Sequence, residues 1–320
     1  MPQPEGTARV ARLPYLNTAP FYLGWKNIEE ASEGRWSPVV LPPRQLGLAA
    51  EAGEVDAGVM ALADMIRLEE SFEPLTVYSA GTPVTFGIAN WTWVESVFLF
   101  LRDPARTVPR VGRLSHPQGK TLTPEEAGLL NGARVGVTGE TSTSFRLLRL
   151  LLEVRHGVRP LAYERMDLER FRTTGRQEPG PSAKATAGSS ESSEIVGALV
   201  IGDTALRWRH RPPAGFYLAM DLASEWHDWT GLPFVFARWG IRRSLSESHK
   251  RWLGDYLEES LRASRSRLPE LVQDLPDDLG PKDELVNYLR NFTYLIGPVE
   301  LEAANRFHAL LVEHAISLEG

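Results

Sequence analysis

Two apolar, strand-like runs nearly 190 residues apart each end abruptly in polar residues, and this restricts the folds open to the chain. The first, Arg9-Val10-Ala11-Arg12-Leu13, runs into Tyr15-Leu16-Asn17-Thr18-Ala19-Pro20. The second, Ile195-Val196-Gly197-Ala198-Leu199-Val200-Ile201, stops at Gly202-Asp203, with Thr230-Gly231-Leu232-Pro233-Phe234-Val235-Phe236-Ala237 further on. Open α/β sheets hold small ligands beyond the carboxyl ends of their strands, where such polar residues would lie. The two signatures therefore predict one cleft built from distant parts of the chain.

Between them the pattern alternates. A helical pattern from Arg44 to Ala52 precedes the small apolar strand Asp56 to Ala61, and Leu75 to Val77 and Val84 to Ala89 read as further strands. Such alternation predicts an α/β domain with a largely parallel sheet. Thr123-Pro124-Glu125-Glu126 is a good helix start, with a Thr cap, Pro at the first helical position and early acids. Ala133 to Thr138 reads as a strand leading into a helix, Phe145 to Val154, that is apolar nearly all round and so predicted to be buried. The last third reads as helices at His249 to Leu261, Asp283 to Ile296 and Pro298 to Ile316. At 320 residues the chain is long enough for two lobes. We expect one lobe from residues 1–95 with 215–320, and a second from 96–214. The second lobe carries flexible insertions at 103–132 and 173–194, the latter without a single Val, Ile, Leu, Met or aromatic residue.

Charge and residue types exclude several functions. A net charge of −6 argues against a general nucleic-acid binder, which shows a basic footprint. The absence of cysteine removes disulfides, thiolate metal sites and cysteine nucleophiles. The seven histidines show no metal-ligand spacing, and no nucleotide fingerprint, P-loop or serine-hydrolase elbow occurs, so neither metal nor cofactor is expected. The first residues lack a basic and then apolar leader, and no apolar run approaches the ~20 residues that span a bilayer. A cytoplasmic protein without membrane contact is the expectation, and oligomeric state is not readable.

The chemistry-bearing residues gather at strand ends. Thr141-Ser142-Thr143-Ser144 places four hydroxyls between a strand and a helix, where unpaired N–H groups and the helix dipole favour an anion. Plain capping of the helix by one of them is the alternative. A carboxylate suits this turn better than a phosphate, since no glycine-rich loop or Lys accompanies it. Asn17 can donate to and accept from a ligand, or shape its own loop as an Asx-turn. Asp203 can orient a ligand or cap a helix from Thr204 to Trp208. Ser96 lies at the expected crossing between lobes. Residues 101–172 hold 13 Lys and Arg against 8 Asp and Glu, and residues 1–100 hold 6 against 12, so the middle segment suits a small anion. Trp226, Trp229 and Trp239 read as packing residues.

The segments at 15–20, 141–144, 201–203 and 230–237, with Gly53-Glu54-Val55-Asp56-Ala57-Gly58, resemble in order and spacing the chorismate dehydratases of the futalosine route to menaquinone. The resemblance runs from about residue 9 to about 312. It implies a two-lobed, type II periplasmic-binding-protein-like fold with the ligand between the lobes. It also implies loss of water from chorismate to give 3-[(1-carboxyvinyl)oxy]benzoate, a hydro-lyase reaction. By position it makes Asn17 and Ser96 the catalytic candidates, with Tyr15, Thr141, Thr143, Ser144, Gly202 and Asp203 contacting the anionic substrate. Asn90-Trp91-Thr92-Trp93 departs from the Gly-Pro step usual in the family before the serine. Two rivals share the fold. The sibling 1,4-dihydroxy-6-naphthoate synthase carries a loop closer to Ser-Pro-x-x-Asp, and a solute-binding protein would capture an anion without chemistry.

Overall fold

The computed structural model describes residues 6–79, 81–103, 119–139, 141–168, 171 and 195–318. The chain forms two compact units. One is Met1–Trp91 with Leu232–Pro276 and Pro281–Gly320, and the other is Thr92–Gly231 with Asp277–Gly280.

The first unit is built on an eight-stranded sheet. Its strands are β1 (Ala8–Arg12), β2 (Trp36–Val40), β3 (Ala57–Ala61), β4 (Phe72–Pro74), β5 (Thr76–Ser79), β6 (Thr82–Asn90), β12 (Phe234–Arg242) and β13 (Thr293–Ile296). The order is β13-β6-β12-β3-β1-β2, with β4 beside β12 and β5 beside β6. Helices α1 (Ile28–Ala31), α2 (Pro43–Glu51) and α3 (Leu62–Arg67) link the early strands. Later in the chain come α8 (Glu247–Gln273), α9 (Lys282–Arg290) and α10 (Pro298–Glu313).

The expectation of a largely parallel sheet fails. β1 runs parallel to β2 and β3, but β12 is antiparallel to β3, β4 and β6, and β6 is antiparallel to β5 and β13. The cause is the path of the chain. β6 leaves the sheet at Asn90 and β12 returns at Phe234 directly opposite it, so β12 must run back along β6. Residues 293–296 also differ from expectation. They form an edge strand on β6 instead of continuing a helix, as suits a Thr-Tyr-Leu-Ile run that can pair.

Close approach explains one glycine of this sheet. A Cβ on Gly87 of β6 would stand 2.6 Å from the Ala237 carbonyl oxygen and 2.6 Å from Ile296 Cγ1. Backbone cannot yield as a side-chain tip can. Gly87→Ala is expected to destabilise the protein by about 1–3 kcal/mol, read as a lower urea midpoint. An unchanged midpoint would mean that β12 and β13 are not packed against Gly87 in this way.

The second unit carries a five-stranded sheet in the order β11-β7-β10-β8-β9. These strands are β7 (Val97–Arg102), β8 (Arg134–Thr138), β9 (Ala162–Met166), β10 (Ile195–Ile201) and β11 (Phe216–Asp221). β10 runs parallel to β8 and antiparallel to β7, and β11 is antiparallel to β7. That last pairing places the second boundary at Gly231–Leu232 and not at 214–215, because β11 is hydrogen-bonded into this sheet. One face buries Phe98, Phe100, Trp208 and Phe216, with Phe100 and Trp208 ring centroids 5.1 Å apart.

The predicted start at Thr123 is a full capping box. Thr123 Oγ1 accepts from Glu126 N, the Glu126 carboxylate accepts from Thr123 N, and α4 (Pro124–Gly128) follows. The apolar helix is α5 (Thr143–Arg149), which continues in wider π-helical turns over Leu150–Arg155. Leu147, Leu148, Leu150, Leu151 and Leu152 are all fully buried. The unit is completed by α6 (Gly202–His210) and α7 (Leu222–Thr230). Trp226 and Trp239 are buried, in separate units, as packing residues. Of the expected insertions, 104–118 and 173–194 lie outside the described residues.

Candidate functional site

In the first unit, β1 ends at Arg12 and the chain enters a 3-10 helix, Leu16–Tyr22, with half-buried Tyr15 ahead of it. Thr18 shapes this loop, since its Oγ1 donates to the carbonyls of Tyr15 at 2.7 Å and Leu13 at 3.1 Å. Helix α8 fixes the far side, with Ser260 and Ser264 hydroxyls donating to the Pro20 carbonyl at 3.0 and 2.9 Å. Aromatic packing does the rest: Phe21 meets Trp239 and Tyr294 with centroids 5.7 and 5.3 Å apart.

Asn17 is the exception in this well-satisfied loop. Its carbonyl accepts from the Tyr294 hydroxyl at 3.1 Å, but its side-chain Oδ1 is buried and has no partner among the described residues. The Asx-turn is therefore not formed, because Thr18 has taken that role. Buried polar atoms are nearly always paired, so an orphan acceptor just beyond a strand end makes Asn17 Oδ1 a candidate ligand contact. Arg12 adds a cation here. Its guanidinium stacks 5.3 Å over the Tyr22 ring and has no ion pair among the described residues.

In the second unit, adjacent strands bring the remaining candidates to one end of the sheet. Ser96 immediately precedes β7, Gly202 and Asp203 follow β10, and residues 141–144 follow β8. Because β7 is antiparallel to β10 while β8 is parallel to it, all three lie at the carboxyl end of β10. The Gly202 N–H donates to the Ser96 carbonyl at 2.8 Å. Gly202 holds φ 61°, a left-handed value that glycine takes without strain, as it opens α6. Asp203 lies inside the first turn of that helix, so it is not the cap that the sequence allowed. Ser96 is fully buried, its hydroxyl 3.4 Å from the Val94 carbonyl.

The hydroxyl turn divides its labour. Thr141 Oγ1 accepts from Phe145 N at 3.2 Å, which is the capping alternative realised by one member. Ser142 holds Arg146, whose guanidinium donates to the Ser142 carbonyl at 3.0 Å and hydroxyl at 3.2 Å. Thr143 and Ser144 are buried at the start of α5, and the Ser144 hydroxyl has no partner among the described residues. Two arginines that sequence reasoning missed flank this turn. Arg146 is 3% exposed, and Arg165 from β9 donates to the carbonyls of Gly139 and Thr141 at 3.3 and 3.4 Å. The available signal was Ser142 and Arg146 four residues apart, one helical turn, at the start of a largely apolar helix. Such a turn, with N–H groups, hydroxyls and two guanidiniums, suits a carboxylate.

Behind Ser96 sits Asp221, fully buried. Its carboxylate accepts N–H bonds from Val94 at 3.0 Å, Glu95 at 2.9 Å, Ala223 at 2.9 Å and Ser224 at 3.1 Å. Glu95 holds a left-handed φ of 59°, uncommon for a residue with a side chain, and pairs with Arg209 at 2.5 Å. Burial pushes the Asp221 carboxyl up to about 7, although the N–H bonds pull the other way. No cluster of potential metal ligands and no helix long and apolar enough to cross a membrane occurs among the described residues.

These folds and strand-end sites define a class. The E. coli periplasmic aliphatic sulphonate binding protein SsuA is similar over 99% of this chain and 90% of its own, with TM-score 0.59 and 13% identity. A Candida albicans protein described as having the generic periplasmic binding protein fold matches over 98% and 92%, with TM-score 0.57 and 12% identity. The fold is thus periplasmic-binding-protein-like, with mixed sheets. The sequence model described as "Menaquinone biosynthesis" matches residues 96–313, and the chain belongs to that family. A Thermus thermophilus protein named chorismate dehydratase is 32% identical over 176 residues, which cover 51% of this chain and 56% of that protein. A Campylobacter jejuni protein of the same name is 38% identical over 58 residues, 18% of this chain and 25% of that protein. The chain thus spans about half the length of the first relative and a quarter of the second.

Proposed function

We propose that this protein is a chorismate dehydratase, a hydro-lyase of the cytoplasm acting in the futalosine route to menaquinone. The observation that carries the reading is the name shared by both relatives within a menaquinone biosynthesis family. The site chemistry agrees with it. Chorismate bears two carboxylates, and the Thr141–Ser144 turn with Arg146 and Arg165 offers donors to one of them. Tyr15, Gly202 and Asp203 are the further contacts in this reading.

The reaction removes the ring hydrogen at C3 as a proton and the C4 hydroxyl as water, and the ring becomes aromatic. That driving force lowers the demand on the protein, so orientation of the substrate supplies much of the catalysis. The enolpyruvyl carboxylate of the substrate takes the C3 proton. Asn17 and Ser96 position the ring and the departing hydroxyl.

Incubation of the protein with chorismate, followed by chromatography with mass detection, is expected to yield an aromatic species lighter by one water. Chorismate recovered unbound would sink the reading. A tight complex that returns chorismate intact would favour capture without chemistry, the second reading, to which the sulphonate-binding neighbour points.

A further inference from the structure

The first unit contains a cavity of about 580 Å³, within the size range of small-ligand sites, that the proposed reaction leaves unused. Leu261 and Leu268 of α8, Leu289 of α9 and Phe292 give it apolar walls. Arg262, Arg265 and Arg290 line it as well, against one carboxylate, Glu258. Arg262 is engaged by Glu259 at 2.6 Å and Arg290 donates to Asn287 Oδ1 at 3.2 Å. Arg265 has no ion pair or hydrogen bond among the described residues. A hollow with apolar walls on one side and exposed guanidiniums on the other fits a ligand with a hydrophobic body and one anionic end.

The cavity also touches the Asn17 loop. Pro20 lines it, together with Ser264, which donates to the Pro20 carbonyl, and Tyr294, which donates to the Asn17 carbonyl. Burial pushes the Tyr294 hydroxyl far above its ordinary range, so it keeps its proton and remains a donor. A ligand resting on Tyr294 and Pro20 therefore bears on the backbone that aims Asn17.

We propose that this cavity binds a small aromatic carboxylate and thereby sets the Asn17 loop. Binding stands on the cavity alone, whereas its effect on turnover rests on the proposed role of Asn17.

Calorimetry with 2-naphthoate as probe tests the binding, with neutral 2-naphthamide as control. Saturable naphthoate binding is expected, with naphthamide at least about tenfold weaker. A double Arg265→Gln, Arg290→Gln variant should lose about tenfold or more, and Leu268→Trp should block binding by filling the hollow. Bound naphthoate should slow hydrogen exchange in Leu16–Tyr22. Absence of saturable binding would overturn the proposal. Binding unaltered in both cavity variants but displaced by chorismate would also overturn it, because the probe would then occupy the substrate site. Unchanged exchange in Leu16–Tyr22 despite binding would remove the coupling. A protein that binds naphthoate through Arg265 and Arg290 yet leaves chorismate intact would refute the dehydratase reading and uphold the cavity.

Discussion

Asn17→Ala is expected to lower chorismate turnover by about 100-fold or more and to leave the protein at least as stable as before. The two halves of this expectation come from one atom. The Asn17 Oδ1 is buried without a partner, so folding has desolvated it and gained no bond in return. Removing it cannot cost a protein hydrogen bond, because none is made. Backbone interactions of the residue survive the substitution, since the Tyr294 hydroxyl donates to the carbonyl and not to the side chain. Turnover per folded molecule and the urea midpoint, measured on the same preparation, check both halves. A residue with a purely structural role would show the reverse, a lower midpoint with turnover kept. Ser96→Ala makes a useful companion, because the same two measurements separate a loss of turnover from a loss of stability at that fully buried residue.

Much of this site was legible because strands buried on both faces read as unbroken apolar runs and their ends as sudden polarity. β10 was visible for that reason, with Gly202-Asp203 beyond it, whereas β1 with Arg9 and Arg12 was read from the polar Asn17 segment that follows it, and β8 from the run of hydroxyls at Thr141–Ser144. The start of α4 at Thr123 was legible because a capping box is a local pattern. Strand direction was not legible. It depends on which strand returns beside β6, a fact carried by the Phe234–Asn90 pairing across 144 residues and not by either segment. β13 was misread for a related reason, as four residues after a helix hold too little pattern to announce an edge strand. Partners were hidden as well. The sequence shows Arg165 as one charge in a strand, and its reach to Gly139 and Thr141 appears with the β8–β9 pairing. Nor does any local pattern tell that Thr18, and not Asn17, would close the loop.

Asp221→Ala is expected to be the most damaging substitution in the second unit, at about 3–5 kcal/mol. Its carboxylate joins the Val94–Glu95 turn, where Glu95 is left-handed, to the first turn of α7. Truncation leaves four buried N–H groups without acceptors and releases the backbone immediately before Ser96. Asp221→Asn keeps the shape but turns an NH2 toward N–H donors, so it should be intermediate. The same residue predicts a dependence on pH. Burial raises its folded-state value to about 7 from the 3.8 of an exposed aspartate. Below the unfolded value both states hold the proton and the contribution is complete. As pH rises, the unfolded chain releases its proton first, so the stability provided by Asp221 falls between about pH 4 and about pH 7 and then levels. Urea midpoints of the wild type should decline across that window, while those of Asp221→Asn should lack this component of the slope. Equal slopes in both proteins would mean that the four N–H donors hold the carboxylate charged throughout, and that hydrogen bonding outweighs burial at this site.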